Sequence, residues 1–295
     1  MGCTEQSPQY ILRPARAHES SAVAALLRNA VPESVRPLTI LGQDGIDEWI
    51  ADSIRATSDS SDRPDATFLV ATTEGSICGA GEWRRYDQTL FLNGITVDPA
   101  HRQRGLGTQL LRWGLSEFDK TSRVALDVFR NNLVARNWYE KLGFRVEATR
   151  KWLICPLTAA LDLPNEDRPS NVSAVPSNVR LRNAADANAD HERFGFSTLH
   201  FEIQGSSGHQ SHEVGRLGDD YFRITDTATA RALPIRAALL ALDPSRSLLF
   251  LTSASLSDSD LPFLMEQTKC HAESLRMNAP FSDVDAALQA SLSSP

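Results

Sequence analysis

The sequence predicts an α/β protein with mixed sheets, arranged as two domains in tandem. Three observations carry this expectation. Residues 10–155 alternate short β-rich runs with stretches of helical period. Among them, the run Leu90–Val97 passes through Pro99 and a basic turn into two glycines and an apolar helix pattern. From about Pro156 to Ser177 the chain turns to Pro, Asn, Ser and Asp with little periodicity, and strand and helix patterns then resume. The expected organisation is a domain over 1–155, a linker over 156–177, a second domain over 178–281 and a frayed tail over 282–295.

Composition bounds the partners. A chain of 295 residues with 41% hydrophobic content can bury two cores. A net charge of −7 argues against a general nucleic-acid surface. The cysteines Cys3, Cys78, Cys155 and Cys270 have no metal-ligand spacing, which fits a reduced, cytoplasmic setting. No apolar run reaches the ~18 residues that span a bilayer, so no membrane partner is expected. Met1-Gly2-Cys3 opens like a myristoylation signal, but Gln6 stands where Ser or Thr is needed.

In chain order, Tyr10–Pro14 reads as a strand, and Ala22, Val23, Leu26 and Leu27 mark a helix over 18–29. Ile46, Trp49, Ile50 and Ile54 mark a second helix over 44–56. Phe68–Thr72 and Ile77–Tyr86 form a hairpin about Glu74-Gly75, and a second hairpin closes at Asp87-Gln88. A symmetric second turn sets Tyr86 opposite Thr89, Arg84 opposite Phe91 and Glu82 opposite Asn93; a bulge would shift that sum. Leu111, Leu115 and Phe118 continue the helix after the glycines, and Val124–Phe129 is the next strand. Val134, Trp138 and Leu142 line a helix that Gly143 stops. Phe144–Val146 and Lys151–Cys155 would close the sheet.

The turn Arg102-Gln103-Arg104-Gly105-Leu106-Gly107-Thr108 has the layout of a backbone anion cradle. The first turn of a helix leaves N–H groups unpaired beside the positive end of the dipole. Gly105 and Gly107 remove side chains that would hold a pyrophosphate away. No lysine precedes Thr108, as a Walker loop would require, and a third glycine for a dinucleotide fingerprint is missing. Together with Asn132-Leu133-Val134-Ala135-Arg136-Asn137-Trp138-Tyr139-Glu140-Lys141-Leu142-Gly143-Phe144, one strand later, this resembles the two signatures of the GNAT superfamily of N-acetyltransferases over roughly residues 10–155.

That resemblance implies acetyl-CoA as co-substrate, a small-molecule amine as acceptor, no metal, and direct attack within a ternary complex. Backbone amides of Gln103–Thr108 would hold the pyrophosphate, with Arg102 and Arg104 adding charge. The strand 90–97 would splay from its neighbour, with an amide near Ile95 or Val97 on the acyl carbonyl. Tyr139 would protonate the leaving thiolate, and Asn132 would cap its helix or touch pantetheine. The family's strand carboxylate is replaced by Phe91, which leaves Glu82, directly or through a water on Asn93, as the best substitute base. His101 would meet phosphate or solvent. The first two helices and their proline-marked connection would shape the acceptor pocket. A different acyl or aminoacyl donor, or a non-catalytic acyl-CoA-binding module, remains as an alternative.

Beyond the linker, Thr198–Gln204, Glu213–Leu217 and Tyr221–Thr225 read as strands, Thr229–Leu242 as a helix, Ser247–Thr252 as a strand and Leu261–Leu275 as a helix. The order resembles the first domain, but Asp226-Thr227-Ala228-Thr229-Ala230 lacks glycines, so the second copy is expected to be degenerate and structural. His209, His212 and Glu213 have zinc-like spacing in a polar loop with no third cluster, and no metal is expected there.

Overall fold

A computed structural model describes residues 9–59, 66–118, 122–157, 175–205, 208–253 and 269–292. The chain forms two compact units interleaved along the sequence. The first gathers 1–32, 47–147 and 276–295; the second gathers 33–46 and 148–275.

The first unit contains β1 (Ile11–Pro14), α1 (Ser20–Ala30), α2 (Ile46–Asp59), β2 (Thr67–Thr73), β3 (Ser76–Tyr86), β4 (Thr89–Val97), α3 (Leu106–Ser116), β5 (Arg123–Phe129) and α4 (Leu133–Lys141). Strands β1 to β4 are antiparallel neighbours, and β4 runs parallel to β5. Helical spacing places Val23, Ala24 and Leu27 of α1, and Ile46, Ile50 and Ile54 of α2, in the core. Both two-residue hairpin turns stand where the sequence puts them, with Glu74 and Asp87 at φ 49° and 48°. The α4 stripe differs from expectation: Tyr139 and Leu142 are buried, but Val134 is 84% exposed.

The closing strands differ more. Instead of two short strands there is one, β6 (Arg145–Pro156), whose residues from 148 onward belong to the second unit. There it pairs antiparallel with β11 (Ser247–Ser253). Beside β5 lies the end of β12 (Lys269–Pro280), whose residues 276–280 belong to the first unit. The expected tail is helix α8 (Phe281–Leu292), with Val284 and Leu288 buried and the Phe281 amide donating to Ser122 O at 3.0 Å.

The second unit repeats the strand pattern. β7 (Val179–Leu181), β8 (Phe196–Gly205), β9 (Gly208–Leu217) and β10 (Tyr221–Ile224) are antiparallel neighbours, and β10 runs parallel to β11. Its core gathers Leu153, Leu199, Phe201, Val214, Phe222, Ile235, Leu239 and Leu248. The expected helix over 229–242 is two helices, α6 (Thr227–Arg231) and α7 (Leu233–Leu242), separated at Ala232 in extended conformation before Leu233-Pro234. Of the expected helix over 261–275, residues 269–275 are strand and the rest lie outside the described residues. Helix α5 (Ala184–Phe194) escaped the sequence reading because only Ala187 and Phe194 are buried on it, too few to make a stripe. The linker expected over 156–177 falls mostly outside the described residues.

Candidate active site

The glycine turn leads from the end of β4 into α3. Asp98 accepts a hydrogen bond from the Ala100 amide at 2.9 Å and closes a 3-10 turn over Pro99–His101. Gln103 and Gly105 then take left-handed conformations, at φ 61° and 73°. The first hydrogen bond of α3 runs from the Gln109 amide to Gly105 O at 3.0 Å, so the amides of Leu106, Gly107 and Thr108 lie in the unbonded first turn. Two left-handed residues ahead of a helix turn successive N–H groups to one side, which favours an anion. Arg102, Gln103 and Arg104 are exposed at the rim, while Leu106 buries its side chain and offers only backbone. Arg102 Nε donates to Val97 O at 2.9 Å, tying the rim to the end of β4. Tyr10 hydroxyl and His101 Nδ1 lie 3.2 Å apart, which fixes the imidazole beside the turn.

Strand β4 keeps β3 along its whole length but parts from β5 midway. Its pairing with β5 ends at Leu92 opposite Leu126, so residues 93–97 continue without a β5 partner. A bulge falls at the same place: Trp83 faces Leu92 but Glu82 faces Gly94, and Asn93 is the extra residue. The bulge shifts the register by one, and Asn93 Nδ2 still donates to Glu82 Oε2 at 2.7 Å. Ile95 and Val97 pack their side chains against Leu106 and Leu110, leaving their backbones along the gap.

Glu82 is 2% exposed, so it is neither a solvated edge charge nor an open base. Arg84 Nε donates to its Oε1 at 2.7 Å, and Asn93 takes the other oxygen. Burial works against the Arg84 charge, but the Glu82 carboxylate outweighs it and holds the guanidinium above its ordinary value. Arg84 also stacks 5.5 Å from the Trp49 ring centroid on α2. Both Glu82 oxygens thus accept hydrogen bonds from neighbouring side chains, and Asn93 is the exposed member of the group.

On α4, Asn132 takes the capping role, its Oδ1 accepting from the Ala135 amide at 3.2 Å. Tyr139 sits between Trp138 and Phe144, with ring centroids 4.9 and 5.5 Å away. Burial pushes its phenol well above the ordinary value, so it stays protonated. Trp138 reaches back to the cradle: a Cβ at Gly107 would lie 3.9 Å from its ring.

Two residues of this face escaped the sequence reading. Asp127 is the first β5 residue past the last β4–β5 pair, and Arg276 grips both its oxygens, from Nε at 2.6 Å and from Nη2 at 2.9 Å. The same guanidinium lies 4.8 Å from the Phe91 ring centroid. Asp127 was visible as a carboxylate between apolar strand residues; Arg276, 149 positions away, left no local signal. In the second unit, Asp226 accepts from the Thr229 amide at 2.7 Å, so a carboxylate occupies the turn where the first unit offers glycines. His212 is buried against Thr229 Oγ1 at 2.9 Å while His209 and Glu213 are exposed, so these three do not converge.

Residues 36–144 match the family model described as the acetyltransferase (GNAT) family. A stretch of 91 residues is 34% identical to mycothiol acetyltransferase from Corynebacterium diphtheriae. That match covers 28% of this chain and 29% of the relative, under a third of its length. Among solved structures, a tandem GNAT protein from the clavulanic acid biosynthesis pathway superposes with a TM-score of 0.57 at 12% identity, covering 92% of this chain and 99% of that one. A GCN5-related N-acetyltransferase from Sphaerobacter thermophilus gives 0.53 at 14% identity, covering 92% and 96%. At such identities the likeness is one of fold. Residues 36–144 thus match the acetyltransferase (GNAT) family model, in a chain that shares its fold with tandem GNAT proteins.

Proposed function

We propose that the protein is an acyl-CoA-dependent N-acyltransferase, most simply moving acetyl from acetyl-CoA to the amine of a small molecule in a ternary complex. The observation that carries this is the coincidence, within one unit, of the amide cradle at Gln103–Thr108, the β4 segment 93–97 that has no β5 partner and the protonated Tyr139. The cradle would take the pyrophosphate, with Arg102 and Arg104 at its rim. A β4 amide near Ile95 or Val97 would donate to the acyl oxygen as negative charge develops there. The neutral amine would attack the carbonyl carbon and shed its proton to water held by Asn93 Oδ1, with Glu82 and Arg84 fixing that amide. Tyr139 would donate to the departing sulfur. Its raised pKa suits a thiolate that is desolvated equally, since burial penalises both anions.

No step in this scheme calls for a metal, and no membrane or nucleic-acid partner is part of it. We place the chain in a reducing, cytoplasmic setting, in keeping with free buried thiols at Cys78 and Cys155. The buried, hydrogen-bonded Glu82 and the aromatic Phe91 favour a second reading, a non-catalytic acyl-CoA-binding module. A third keeps the fold but uses another acyl or aminoacyl donor. Calorimetry with CoA, followed by thiol release from acetyl-CoA and other acyl-CoAs over an amine panel, separates them. No heat with CoA would remove all CoA readings; binding without thiol release from any donor would leave the module.

A further inference from the structure

Arg276 is spent on one edge only. Nε and Nη2 hold Asp127, and among the described residues Nη1 makes no hydrogen bond. A guanidinium carries five donors in a rigid fork, and the Asp127 pair uses two of them. The two side chains keep 23% and 30% exposure, so the pair is not sealed from solvent. Phe91 on one side and Asp127 on another already fix the plane, and a further anion would therefore cost little side-chain entropy. Of the other groups that bear on Arg276, Glu147 is matched by Arg123 at 3.6 Å, and Tyr86 is a phenol beside Phe91. The face is not left net acidic.

Its position ties this edge to the reaction. Arg84 and Phe91 are cross-strand partners and share a face with Glu82; Phe91 pairs with Ala125, and Asp127 lies two residues further along. Asp127 follows Leu126 as Asn93 follows its partner Leu92, so the Arg276–Asp127 pair stands level with Asn93 where the two strands part. We propose, on the footing of the acyltransferase reading above, that Arg276 is a specificity-determining residue whose Nη1 edge receives the carboxylate of the acceptor. The substrate class is then a short amino acid or similar carboxylate-bearing amine, with its nitrogen toward Asn93 and the β4 gap.

The test uses the full chain and matched acceptors, each amino acid beside its carboxamide, with thiol release from acetyl-CoA as readout and CoA calorimetry as control. The acid should exceed the amide by about tenfold or more in kcat/KM, chiefly through KM, as expected for one charge-assisted contact. Arg276→Gln should erase the preference and leave CoA binding unchanged; Arg276→Lys, which keeps charge without the fork, should fall between. Equal use of acid and amide, turnover of neither while CoA binds, or a preference that survives Arg276→Gln overturns the assignment. If Arg276→Gln does not fold, the wild-type pair and Arg276→Lys still decide. Absence of CoA binding instead removes the acyltransferase reading beneath it.

Discussion

Tyr139 and Glu82 are both buried, with opposite consequences for proton traffic. Tyr139 is held neutral, so Tyr139→Phe should lower kcat by about 10- to 100-fold while CoA affinity, read by calorimetry, changes little. Its raised folded pKa also sets a sign for stability. The unfolded phenol ionises near pH ~10 while the folded one does not, so the unfolded state binds fewer protons and stability falls as pH rises past that point. Denaturant melts between pH 8 and 11 should show an alkaline loss that Tyr139→Phe reduces; an identical loss in both proteins would deny the phenol that environment. Glu82 is tied to Arg84, Nη2 lying 2.7 Å from Oε1. Glu82→Gln leaves a largely buried guanidinium unmatched and should cost about 2–4 kcal/mol, whereas exposed Asn93 should tolerate Asn93→Ala with a far smaller change in melting and a clear fall in kcat. Equal kcat in Asn93→Ala would take the amide out of the mechanism. Part of this was legible: the residue types at 82, 93, 132 and 139 follow from local pattern, but a symmetric turn pairs Glu82 with Asn93, whereas the bulge sets Glu82 opposite Gly94 and leaves the two joined through their side chains alone. That Arg84 turns back onto Glu82 was not legible, because it could equally have pointed to water.

Among the elements, the turn before α3 carries the clearest sequence signal, and its two glycines serve different ends. Gly105 has a left-handed φ of 73° and open space around a hypothetical Cβ, so its constraint is conformational. Gly107 meets only ordinary contacts at 3.9 Å, so the fold would accept a methyl there and the ligand would not. Gly107→Ala should therefore raise helix stability by about 0.5–1 kcal/mol yet weaken CoA. Gly105→Ala should lose about 1 kcal/mol and weaken CoA as well. Melting and calorimetry together separate the two, and unchanged CoA affinity in both would place the phosphates elsewhere. Elements with a strong period, such as α1, α2 and the hairpins, could be read directly. Helix α5 could not, since a helix that buries two residues leaves nothing periodic to see.

At the scale of the molecule, local pattern misplaces the domain edges. Topology is periodic across the chain, four antiparallel strands and a fifth parallel one in each unit, but the strand after the fifth is not drawn from where sequence order suggests. β6 starts in the first unit and pairs with β11 in the second, while residues 276–292 return to flank β5 and α3 in the first. Nothing in the composition of 269–292 announces a long-range pairing, because strand registry depends on partners far along the chain. The consequence can be measured. A fragment ending at 155 has every residue of both signatures but lacks the strand beside β5, the Arg276 grip on Asp127 and the buried Val284 and Leu288. It should express poorly or melt well below the full chain, and a chain ending at 275, which keeps nearly all of the second unit, should lose CoA-binding competence in parallel. Adding residues 276–295 back as a separate peptide should restore part of the melting temperature of the chain ending at 275. A stable, CoA-binding fragment ending at 155 would show instead that the first unit closes on its own strands, and that the returning segment is an accessory to it.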